Sequence, residues 1–403
     1  MIERDTRGID VERSRWTAAV RAGIDTDRAH GAVVPPIYLS TNYRFAGLDT
    51  RGEFDYSRSG NPTRSLLADA LAELDGAAGA VVTASGMGAI TICLMAMAGP
   101  GLRIVAPHDA YGGTWRLLEA LRDKVGYDLR LIDLTAPDAA GRVRELAPDL
   151  LWVETPSNPL LGISDIPALA GAVHGAGGRL VVDNTFCSPA LQRPLALGAD
   201  AVVQSSTKYL NGHSDVIAGV VTAGSAELVE ELAWWANCLG VTGGAFDSYL
   251  TMRGLRTLRV RMAAHLANAA AVVDALMTHS AVERVHYPGL ASHPGHELAA
   301  RQMDGFGAIV SFEVAHGEKG VAALVAGLKH FSLAESLGGV ESLIVHPSSM
   351  THAAMPPEVQ KVAGLTPGLV RVSVGIEDAD DLVADLRAGL ARVQALGGNS
   401  IRA

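Results

Sequence analysis

Seven short, apolar, β-branched runs recur between Gly79 and Ala223: AVVT, RIVAP, LRLIDL, LLWVE, RLVVD, AVVQS and AGVVTA, at 80–83, 103–107, 129–134, 150–154, 179–183, 201–205 and 218–223. Runs this uniformly apolar are strands buried on both faces, and parallel strands need long crossovers between them. Helical patterns fill most of the gaps, at 86–98, 113–123, 165–175 and 189–197. The alternation predicts a mainly parallel seven-stranded sheet with right-handed crossovers and helices on both faces. One long Ala/Leu/Arg-rich helical run over Phe246–His279 then leads to VERVHY, AIVSFEV, HFSLAES, SLIVHP and LVRVSVG and a closing amphipathic helix near Asp378–Ala395. That order predicts a smaller C-terminal α+β domain. The expected division is an extended arm over 1–55, an α/β domain over 56–245 and the α+β domain over 246–403.

A chain of 403 residues has interior enough for about two to three domains, at roughly 150 residues each. Lys+Arg 33 against Asp+Glu 43 leaves −10, which argues against nucleic acid as a partner. The mean hydropathy of +0.21 is high, but the most apolar stretch, Ala89–Ala98, has about half the length of a membrane span. The opening MIERDTRGIDVERSRW lacks the apolar core of a signal peptide. The three cysteines, Cys93, Cys187 and Cys238, are too few and scattered for a disulfide framework. The expected setting is the cytoplasm, with no membrane partner.

Ligands of open parallel sheets bind beyond the carboxyl ends of the strands. There the chain places Ser85-Gly86-Met87-Gly88, Thr155-Pro156-Ser157-Asn158-Pro159, Asp183-Asn184-Thr185 and Ser206-Thr207-Lys208-Tyr209. Lys208 is one of five lysines and directly follows a buried run. Desolvation there would lower its pKa and make it a Schiff-base nucleophile, whereas the bland alternative is a surface lysine. Asp183 ends the preceding strand, so the two can sit side by side, as in enzymes that hold a pyridinium nitrogen protonated; its alternative is a helix N-cap. The Ser85–Gly88 turn offers backbone N–H groups to a phosphate, with Ser205 and Thr207 as further donors. It is not a dinucleotide fingerprint, since Thr91 stands where a third glycine is needed. Neither His293/His296 nor His346/His352 has a carboxylate partner at ligand spacing, so no metal site is expected.

The segments HGAVVPPIYLSTNY, YSRSGNPTR, APHDAYGGTWRL, VETPSNPL, VVDNTFCSPALQRPLALGAD, SSTKYLNGHSDVIAGVV, WANCLGVTGGAFDSYLTMRGLRTL, FSLAESLGGVESLIVHP and RVSVGIED cover nearly the whole chain. In them the sequence resembles the Cys/Met-metabolism family of pyridoxal phosphate enzymes. The resemblance implies the aspartate-aminotransferase-like fold (fold type I) and pyridoxal 5′-phosphate as cofactor. It implies Lys208 as Schiff-base lysine and proton shuttle, Asp183 at the pyridine nitrogen, and Tyr111 stacked on the ring. The phosphate would lie on Ser85, Gly86 and Met87 with Ser205 and Thr207, and on Tyr56 and Arg58 of a neighbouring subunit, within a homotetramer built as a dimer of dimers. Asn158 would stand near the ring hydroxyl and the substrate carboxylate, which Arg371 would grip.

Within the family, Gly113 stands where methionine γ-lyases place a cysteine, and Glu335, followed by Ser336, matches members that make or cleave cystathionine. The reaction this implies is γ-replacement of O-succinylhomoserine by cysteine, giving cystathionine and succinate in methionine biosynthesis by transsulfuration. A cystathionine lyase or an O-acylhomoserine sulfhydrylase of the same family is the alternative. A succinyl ester carries a distal carboxylate, and Arg116, five residues after Tyr111, is the candidate cation to meet it; it could equally be a solvated helix arginine. Cys238 replaces a more familiar asparagine near the mouth of the site.

Overall fold

The computed structural model describes residues 14–353 and 355–398. The first 13 residues of the expected arm, and with them most of the opening segment, lie outside the described residues. Seven strands form where the apolar runs predict them: β1 (Gly79–Thr83), β2 (Arg103–Pro107), β3 (Asp128–Ile132), β4 (Leu150–Glu154), β5 (Arg179–Asp183), β6 (Ala201–Gln204) and β7 (Gly219–Ala223). Their spatial order is β1-β7-β6-β5-β4-β2-β3. The strands from β6 through β3 pair parallel, while β7 runs antiparallel to both β6 and β1. The reason lies in the connection: residues 205–218 hold no crossover helix, so the chain turns back rather than returning to the same edge.

Successive side chains on the strands feed opposite cores. Leu150, Trp152, Val181 and Val203 pack with the Gly86–Met97 and Ala226–Leu239 helices, whereas Leu151, Val153, Val182 and Val202 pack with the Ala139–Leu146 and Ile166–His174 helices. The strand order reverses between β2 and β4, and a crevice opens there at their carboxyl ends.

Two expected helices are interrupted. Over 189–197 the chain makes two short turns, Ser188–Leu191 and Pro194–Leu197, because Pro194 cannot continue a helical ladder. The 246–279 run is two helices, Ala245–Leu255 and Leu258–Met277. The Gly254 carbonyl at the break accepts hydrogen bonds from Thr257 and from Arg261, whose guanidinium also holds the Tyr209 carbonyl beside Lys208. Leu258–Met277 is long and apolar enough to cross a membrane by length and composition, yet half of it is buried within the protein, through residues such as Leu258, Val272 and Leu276.

A smaller C-terminal α+β domain follows, built on β8 (Val282–His286), β9 (Ile309–Val314), β10 (Phe331–Leu333), β11 (Ser342–Val345) and β12 (Leu369–Ser373) in the order β10-β11-β12-β9-β8. The chain closes on the Ala379–Gly398 helix.

One buried charge tests the packing of the first sheet. Asp75 ends the Pro62–Asp75 helix, where the dipole disfavours an anion; Oδ2 accepts from Thr222 and Gln204, and Oδ1 has no partner among the described residues. Burial pushes its carboxyl up to about 7. A carboxyl raised in the folded state costs stability as it ionises, so the penalty grows between about pH 4 and pH 7 and then levels off. Asp75→Asn should therefore melt increasingly above the parent protein as pH rises from 4 to 8, by on the order of 2–4 kcal/mol at the upper end. Melting curves at both pH values read this directly; a constant gap would refute it.

Candidate active site

Beyond the carboxyl ends of the first sheet lies a cavity of about 840 Å³. Its floor is Lys208, in the tight turns after β6, where Lys208 N donates to the Ser205 carbonyl and Gly212 N to the Lys208 carbonyl. Lys208 Nζ donates to Ser336 Oγ at 2.7 Å. Burial, reinforced by the positive charge of Arg371 and opposed by Glu335, lowers this amine to about 8. It is therefore partly unprotonated near neutrality and fit to act as nucleophile or base.

Asp183 ends β5 opposite Val203 of β6 on one side and Glu154 of β4 on the other. Burial raises its carboxyl, while hydrogen bonds from Thr185 pull it back towards the ionised form. Glu154 is likewise pushed up, to about 8, by burial and by the charge of Asp183 beside it. Two buried carboxyls side by side disfavour each other's ionisation. The place of Glu154 in the site escaped the residue-by-residue reading, although two adjacent runs ending in acids, LLWVE and RLVVD, bring both acids to one edge when paired in parallel register.

Ser85 caps the Gly86–Met97 helix by accepting from Gly88 N, which leaves the N–H groups of the first turn facing the cavity rim. The turn approaches Ser205 so closely that a Cβ on Gly86 would stand 2.9 Å from Ser205 Cβ. Thr207 Oγ1 bonds the Ala218 backbone and lines the same end. Two backbone N–H groups at a helix start and two hydroxyls make an anion cradle.

Tyr111 begins the Gly112–Leu121 helix, and its ring occupies the space that a Gly113 side chain would need: a Cβ there would stand 2.5 Å from Tyr111 Cε1 and 2.7 Å from Met87 Sδ. Burial raises the phenol and the charge of Arg116 lowers it, with burial the larger effect. Lys208, rather than Tyr111, is accordingly the base nearest neutrality.

Arg371, at the centre of the second sheet, is buried; Nη1 donates to Asn158 Oδ1 at 2.8 Å and Nη2 to the Ser336 carbonyl at 3.0 Å. Its Nε–H is buried with no partner among the described residues. Ser336 holds these contacts at φ +140, a conformation rarely adopted by a side-chain-bearing residue. Glu335 and Ser336 both line the cavity.

Three expected site residues lie elsewhere. Arg116 is exposed and outside the cavity lining, and its positive charge lowers the Tyr111 phenol. Arg58 donates to Asn237 Oδ1 at 2.9 Å and sits over the Tyr56 ring, and neither residue lines this chain's own cavity. Cys238 is exposed next to Asn237.

The Cys/Met metabolism PLP-dependent enzyme family matches residues 16–391. The chain belongs to that family. A cystathionine gamma-synthase of Escherichia coli (strain K12) is 52% identical over 377 residues, 94% of this chain and 98% of that one. A cystathionine beta-lyase of Lactococcus lactis subsp. cremoris (strain MG1363) is 44% identical over 374 residues, 93% and 98% of the two chains. A solved cystathionine gamma synthase from Xanthomonas oryzae pv. oryzae, in complex with cystathionine, superimposes with a TM-score of 0.93 at 56% identity, covering 95% of this chain and 99% of that one.

The cavity fits the family's cofactor. An amine of lowered pKa, the Asp183 carboxyl in the same cavity, a cradle at a helix start shaped by Gly86, and the Tyr111 ring match the aldehyde, ring nitrogen, phosphate and ring face of pyridoxal phosphate.

Proposed function

We propose that this PLP-dependent enzyme replaces the γ-substituent of O-succinylhomoserine with cysteine. The observation that carries the reading is Arg371, which lines the same cavity as Lys208 and Glu335 and whose Nε–H has no partner among the described residues. The likeness to a cystathionine-bound synthase at 56% identity supports it. Bound pyridoxal phosphate would supply a conjugated sink for the electron pair left when a proton is removed from substrate carbon. Asp183 would hold the ring nitrogen's proton, Ser85, Gly86, Met87, Ser205 and Thr207 the phosphate, and Tyr111 and Asn158 the ring.

Arg371 would hold the α-carboxylate, with Asn158 completing the grip. Lys208 would take the Cα proton, hand it on to the conjugated system and, free again, take a Cβ proton, letting succinate leave from Cγ with the C–O electron pair. The sulfur of cysteine, its thiol proton released to water, would then bond to Cγ while Glu335 meets its ammonium, and Lys208 would return protons to Cβ and Cα. The products are cystathionine and succinate. In the lyase alternative, cystathionine supplied alone gives 2-oxobutyrate; in the sulfhydrylase alternative, sulfide outcompetes cysteine. The proposal expects neither, and either result would replace it.

Tyr56 and Arg58 would act across a subunit interface, within a homotetramer of paired dimers. Their distance from this chain's own cavity supports that, as do the apolar side chains the arm leaves in solvent, among them Leu48 at 100% and Leu39 at 72% exposure. The same reading keeps 1–55 as the arm, 56–245 as the cofactor domain, 246–403 as the C-terminal domain, and a cytoplasmic setting, which three unpaired cysteines favour.

Arg116 would select the acyl group. Arg116→Ala should raise KM for O-succinylhomoserine about tenfold to a hundredfold and leave O-acetylhomoserine nearly unchanged. Steady-state kinetics on both esters decide this, and equal effects would remove Arg116 from the subsite.

A further inference from the structure

We propose that Glu154 is a positioning residue, which fixes Tyr111 over the active site by accepting its backbone N–H. Glu154 Oε2 accepts from Tyr111 N at 2.7 Å, and Oε1 accepts the indole N–H of Trp152 at 3.2 Å. Trp152 is fully buried in β4, so the carboxyl is anchored on a rigid strand while Tyr111 lies in a loop.

That loop needs an anchor. Tyr111 starts its helix with no side-chain cap and is followed by Gly112 and Gly113, whose lack of Cβ atoms leaves the backbone free to swing. The ring fills the space over Gly113 and against Met87 Sδ, so a small backbone shift would carry the phenol off its place. A second tie joins the same two segments: Ser157 Oγ, after β4, donates to Asp109 Oδ2 at 2.6 Å, two residues before Tyr111. Two carboxyls thus fasten the loop after β2 to the end of β4, across the crevice where the strand order reverses. The part of Glu154 is to accept the Tyr111 N–H from a fixed strand position. Glutamine keeps one acceptor oxygen of the same reach, enough for the Tyr111 N–H at the expense of the Trp152 contact, whereas aspartate is one methylene too short.

The inference rests on the reading that places Tyr111 over the reacting atoms, and its test separates the two. Hydrogen exchange in peptides spanning 108–115 of the holoenzyme needs no substrate. Exchange at Tyr111 should quicken at least about tenfold in Glu154→Ala and Glu154→Asp and stay near the parent rate in Glu154→Gln. In turnover, Glu154→Ala should lower kcat on the order of 100-fold with KM little changed, and Glu154→Gln should restore most of the loss. In a Tyr111→Ala background the Glu154→Ala effect should largely vanish, because the ring it positions is gone. If Glu154→Ala does not fold, Glu154→Asp reads the same exchange. Unchanged exchange in the Asp variant, or losses that multiply in the double variant, would overturn the proposal. Absence of turnover by the parent enzyme, with exchange behaving as stated, would instead count against the assigned reaction.

Discussion

Lys208→Ala should abolish turnover, lowering kcat by at least about 10⁴-fold, and should lose the yellow colour of the lysine-linked cofactor while the protein remains folded. The size follows from what one amine is asked to do: it would move protons at both Cα and Cβ, and a single positioned acid–base group contributes about 10²–10⁴. No other lysine can substitute, because Lys124, Lys319, Lys329 and Lys361 all lie outside the cavity lining. Arginine in its place would keep charge but lose the nucleophile, its guanidinium being protonated throughout the working range. Visible absorption, far-ultraviolet circular dichroism and steady-state rates on one preparation check the prediction. A folded Lys208→Ala protein that kept its yellow band would contradict it.

Arg371→Ala should have the second largest effect, a fall in kcat/KM of about 10²–10⁴-fold for O-succinylhomoserine and O-acetylhomoserine alike, because both carry the same α-carboxylate. A truncated partner in a buried, charge-assisted contact costs about 3–5 kcal/mol. Here the substitution would also leave Asn158 Oδ1 and the Ser336 carbonyl without the donors they now have. Arg371→Lys should recover little of the loss, since an ammonium cannot reach Asn158, Ser336 and a carboxylate in one plane. Rates with both esters in the three proteins settle this, and near-parental kcat/KM in Arg371→Lys would mean that charge alone is used.

The sheet was legible because strands buried on both faces have to be apolar along their length. All seven runs formed strands, and the polar residues that end them marked the rim of the site. Lys208 and Asp183 could be found that way. Glu154 could have been, had the parallel register of the two acid-ended runs been followed through to its consequence. The interrupted helices were less legible: the break after Leu255 depends on Arg261 reaching back to the Gly254 carbonyl, a contact between residues whose spacing alone looks helical. Arg371 gave no local signal, since a lone arginine in LVRVSVG reads as an ordinary strand residue until the second sheet brings it to Asn158. It came from resemblance, as did Tyr56 and Arg58, which physical reasoning on one chain could not join to a site that this chain's own cavity does not include.

The most direct measurement of the central claim is product stoichiometry. Purified holoenzyme is given O-succinylhomoserine and cysteine, and cystathionine, succinate and 2-oxobutyrate are quantified together by mass spectrometry. Replacement at Cγ predicts cystathionine and succinate in equal amounts, with 2-oxobutyrate a minor product. Succinate released with equal 2-oxobutyrate and no cystathionine would show elimination without capture of the thiol, and would contradict the account.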